Sequence, residues 1–78
     1  MEITEELAMH YAVARRDRPL ASSDQIAERM LGWLTEDQEL QLASQAQLWS
    51  AEQASTRELA LLAVRNFVEA WEGDPDAP

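Results

Sequence analysis

The sequence has no cysteine and no lysine, only two glycines and three prolines, and a single histidine, His10. Without cysteine there is no disulfide framework and no thiolate metal site. His10 alone cannot assemble a structural zinc site. A chain of 78 residues is one domain, spanning residues 1–78. At this length only about 60% of the unfolded surface is buried, and a core supplies roughly 3–5 kcal/mol. With disulfides and metals excluded, helix packing and association are left to hold it.

The lack of cysteine fits a reducing compartment. The first ten residues carry Glu2, Glu5 and Glu6 where a secretory leader needs basic residues. Both features point to the cytoplasm. No apolar run approaches the ~20 residues a membrane helix needs.

Positive charge is scarce. Fifteen acids face six bases, all of them arginine (15, 16, 18, 29, 57 and 65), for a net charge of −9. Direct nucleic-acid binding needs a basic face that displaces counterions from phosphates. Adhesion to an anionic membrane needs the same. The balance therefore predicts neither; it favours a partner protein with a basic surface, or simply good solubility, the commoner meaning of such a charge in a small domain.

Catalytic groups are also sparse. Several serines are present, but only His10 could act as their usual base. With glycine so rare, no loop cradles a phosphate. The expectation is a chain that is not an enzyme and carries no metal or cofactor. Ile26-Ala27 followed by Gly32 loosely suggests a helix-turn-helix, but the spacing is one residue too long. Its reading helix would also open on Glu36, Asp37 and Glu39, the wrong charge for DNA.

What is abundant is Ala, Leu, Glu, Gln and Arg, the good helix formers. The pattern predicts an all-α bundle of three to four helices, which a homodimer could complete. Helix one is expected over 4–16, capped by Thr4, with Ile3, Leu7, Tyr11 and Ala14 on one face. Helix two, over 23–34, opens on a capping box of Ser22 and Gln25. Ile26, Met30, Trp33 and Leu34 form its stripe. Helix three, over 36–50, opens on Thr35 and Gln38 in the same way. Helix four, over 55–72, starts at Ser55 with Glu58 and stops at Gly73. Ser50 with Gln53 is a rival start, so the break between helices three and four stays open. The tail 73–78 is acidic and helix-breaking, with disorder as its default reading.

Four features bear on binding. Apolar residues sweep roughly 200° of helix four, where a surface helix needs a little over 100°. Either helix four is central, or Leu61, Leu62, Val68 and Trp71 meet a second copy of the chain. Arg15, Arg16 and Arg18 hold half of the positive charge. They complement a helix C-terminus or anchor an anion. Residues 40–51 carry no charge, and Leu40 and Leu48 lie there opposite the buried face, as in an interface core. Glu36, Asp37 and Glu39 favour the helix dipole and could also meet a basic partner. Three tryptophans, at 33, 49 and 71, are read as core, and an exposed one would be a hot spot.

The function these features predict is a small acidic regulator or inhibitor of a larger protein. It could act by occupying a basic surface that otherwise binds nucleic acid. Phages and other mobile elements often carry chains of this type, including inhibitors of bacterial defence systems, which is an analogy of type only. The alternative is a structural homo-oligomer or helical assembly module.

Overall fold

The two capping boxes are formed as the sequence predicts. Ser22 Oγ accepts from the Gln25 amide at 3.2 Å, and the Gln25 side chain accepts from the Ser22 amide at 3.0 Å. Thr35 and Gln38 repeat the pair at 3.2 and 3.0 Å. Each satisfies donors that a helix start would otherwise leave unpaired. Ser55 Oγ likewise accepts from the Glu58 amide, at 3.2 Å.

The computed structural model describes residues 2–48 and 54–73. Among these residues there are four α-helices and no strand: α1 (Ile3–Asp17), α2 (Ser23–Leu31), α3 (Glu36–Gln47) and α4 (Thr56–Gly73). The all-α bundle is thus the fold.

The helix ends differ from the sequence expectation in several places. Thr4 lies inside the first turn of α1; Glu2 takes the N-cap position and makes no side-chain cap bond. Helix α2 stops at Leu31, three residues early, because Thr35 must be extended (φ −77°, ψ 165°) to cap α3. Gly32, Trp33 and Leu34 are used up in that turn. Gly73, expected to stop helix four, is itself helical and is the last described residue of α4. Helix α3 also stops short of the expected residue 50: it ends at Gln47, where the Leu48 amide turns back to the Gln45 oxygen at 3.2 Å. The Ser50–Gln53 start and the tail 74–78 lie outside the described residues.

The core is apolar throughout: no polar or charged residue among those described is buried. Ile26, Met30, Val64 and Val68 are its large, fully buried side chains. Leu7, Leu31, Leu42 and Leu59 close it at the edges. Alanine supplies much of the rest. Ala43 and Ala46 of α3 and Ala60 and Ala63 of α4 are buried. Their short side chains let two helices approach closely, and α3 and α4 form the most extensive helix pair.

Helix α4 is in contact with each of the other three helices. That explains its wide apolar arc. Leu59, Ala60, Ala63, Val64 and Val68 are buried, while Leu61, Leu62 and Trp71 are half-buried. Val68, at 0% exposure, is spent inside the chain. The surface left open for a second copy is therefore narrower on α4 than its sequence alone implies.

Candidate interaction surfaces

Contacts link carboxylate-bearing helix ends to one another. The Gln38 side chain of α3 donates to the Glu6 carboxylate of α1. Arg57 at the start of α4 pairs with Glu39 of α3 at 3.1 Å. A groove of about 490 Å³ joins the last turn of α2 to the first turns of α4, lined by Glu28, Leu31, Ser55, Arg57, Glu58 and Leu61. The starts of α1, α3 and α4 and the end of α2 are thus neighbours. Glu5, Glu28, Glu36, Asp37 and Glu58 are exposed there. Three helix N-termini offset part of the repulsion among them. Glu36, Asp37 and Glu39, singled out from the sequence, belong to this end. Glu6, Glu28 and Glu58 join them only through the fold.

The opposite end is held by a latch. Arg15 reaches Glu72 of α4 at 2.6 Å and donates to the backbone oxygens of Ala21 (2.7 Å) and Pro19 (3.3 Å). The Ser23 hydroxyl donates to the second Glu72 oxygen at 2.6 Å. One carboxylate so ties α4 to α1 and to the start of α2. The Ser23 bond, with Tyr11 and Arg15 beside it, holds Glu72 below the usual carboxylate range. Tyr11, and then Glu72, raise Arg15 above its ordinary value. Its guanidinium also lies 5.7 Å from the Tyr11 ring centre. Arg15 is therefore engaged within the chain, in contact with α4 and with the turn before α2. Arg16 and Arg18 are exposed, with no ion-pair partner among the described residues.

Beside the latch is an apolar groove of about 520 Å³, lined by Ala8, Met9, Tyr11, Ala12, Arg15 and Trp71. Trp71 stacks on Phe67 at 5.5 Å and meets the Tyr11 edge at 6.5 Å. Met9 and Val13 are half exposed, at 54% and 50%. Helix α1 thus has a second apolar face, away from the core, that the reading of Leu7 and Ala14 as its buried side passes over.

Two further exposed features stand apart. Leu40 on α3 and Leu48 at its C-cap are 53% and 88% exposed, whereas Leu42 and Ala46 of α3 are buried. Trp33, 38% exposed, is held by the His10 ring (5.6 Å) and the Arg29 guanidinium (5.3 Å). Neither Trp33 nor Trp71 is among the buried core residues, and Trp49 lies outside the described residues.

Among the described residues, no three His, Asp or Glu side chains converge as a metal site would need. No helix among them is long and apolar enough to cross a membrane. No protein-family model, curated protein or solved structure matches the chain.

Proposed function

We propose that the chain is a protein-binding regulator or inhibitor of a larger protein, and that its acidic end docks on a basic surface of that partner. The observation that supports this is that contacts tie together the starts of α1, α3 and α4 and the end of α2, the segments that carry Glu6, Glu28, Glu36, Asp37, Glu39 and Glu58, with Arg57 paired to Glu39. Carboxylates spread along a sequence give a diffuse field. Carboxylates on one face act together on any cation within the Debye length, about 8–10 Å at physiological salt. Such a face speeds encounter with a basic partner and sets its orientation. If that partner's surface normally holds nucleic acid, the chain displaces it by charge.

The test is affinity capture from cells of the native host, with wild type and a Glu36→Gln/Asp37→Asn/Glu58→Gln variant as parallel baits. All three positions are exposed, so the variant should keep its fold, which circular dichroism checks. Partners held by wild type and lost by the variant support the reading. An identical set on both baits refutes it.

A further inference from the structure

Helix α1 carries on its solvent side a stripe of residues 5, 9, 12 and 16. The steps of four, three and four are the spacing of a coiled-coil seam. All four residues, Glu5, Met9, Ala12 and Arg16, are exposed, and neither Glu5 nor Arg16 has an ion-pair partner among the described residues. The stripe is self-complementary when read backwards. In an antiparallel pair centred between residues 10 and 11, residue i meets residue 21 − i of the second copy. Glu5 then faces Arg16, Met9 faces Ala12, and the two layers repeat by symmetry. A large side chain meets a small one, and each charge meets its opposite. We infer that a second copy of this chain docks on the exposed face of α1, antiparallel, around a two-fold axis at this point.

The overall charge supports the same orientation. Each copy bears −9, and much of it sits at the end where α1 begins. An antiparallel pair sends the two acidic ends to opposite poles, whereas a parallel pair would crowd them together and set Glu5 against Glu5 and Arg16 against Arg16. Val13 flanks the seam on one side, and Ala8 and the Tyr11–Trp71 groove flank it on the other. With two apolar layers only, the interface is small, which places it among weak associations. The inference stands apart from the acidic-end reading and leaves that end open in both copies.

Sedimentation equilibrium on the full chain, over a series reaching high micromolar concentration, tests it. Wild type should pass from monomer to dimer. Glu5→Arg and Arg16→Glu each create two like-charge layers and should weaken association at least about tenfold. Mixing these two variants in equal amounts should restore dimers, as heterodimers. One copy then carries arginine at both positions 5 and 16 and the other carries glutamate at both, so each layer again pairs opposite charges. Met9→Gln should weaken association without changing charge, and circular dichroism should report unchanged helix content in every variant. A wild type that is monomeric at every concentration overturns the inference. So do single variants that pair as well as wild type, or a mixture that pairs no better than its components.

Discussion

Replacing Val68 by alanine separates a core role for α4 from an interface role. Val68 is 0% exposed and lies in the cluster with Ile26, Met30 and Val64. The change removes two methyl groups from the interior. Their transfer to water is worth about 0.8 kcal/mol each, or ~1.6 kcal/mol. The cavity that rigid neighbours leave behind raises the loss to roughly 2–3 kcal/mol. A domain of this size has about 3–5 kcal/mol to lose. Each kcal/mol moves the melting temperature of such a domain by about 4–8 °C, so Val68→Ala should melt at least ~8 °C below wild type. Leu61→Ala, at a half-buried position, should cost less. Thermal melts followed by circular dichroism at dilute concentration read both. If Val68→Ala melts within ~2 °C of wild type, the placement of Val68 in a tight core is wrong.

Other consequences concern caps, the latch and charge. Ser22→Ala and Thr35→Ala should each lose about 1 kcal/mol in urea unfolding, and the double variant should lose their sum. Glu72 is held below its ordinary value in the folded chain, so its ionised form stabilises the fold above the unfolded carboxyl range. That contribution disappears as pH falls through the folded value. Melting temperature against pH should therefore drop less steeply on acidification for Glu72→Gln than for wild type, from a lower starting point at neutral pH. A parallel pair of curves would show that ionisation of Glu72 contributes nothing to the stability.

The starts of α2 and α3 were legible because the determinants of a capped helix start are local. Ser22 with Gln25 and Thr35 with Gln38 lie three residues apart, and nothing distant can change what they cap. The end of α2 was not legible, since Trp33 and Leu34 continue the apolar period while the chain turns. The same holds for Arg15, whose sequence neighbours Arg16 and Arg18 share its charge. Only the fold brings Glu72, fifty-seven residues away, to its guanidinium. The acidic end was half legible. Glu36, Asp37 and Glu39 stand together in sequence, but Glu6, Glu28 and Glu58 reach them through helix packing. Helix four showed two readings of one arc, and burial of Val68 narrowed them. The exposed stripe of α1 was not legible, because Glu5 and Arg16 at its ends break the apolar period that Met9 and Ala12 would continue.

The acidic end is the central claim, and its most direct measurement is the salt dependence of binding to the captured partner. Isothermal titration at low and at roughly physiological-to-double salt should show wild-type affinity falling about tenfold or more as the charges are screened. The Glu36→Gln/Asp37→Asn/Glu58→Gln variant should bind more weakly at low salt and lose most of that dependence. Binding that ignores both salt and the three substitutions would contradict the account.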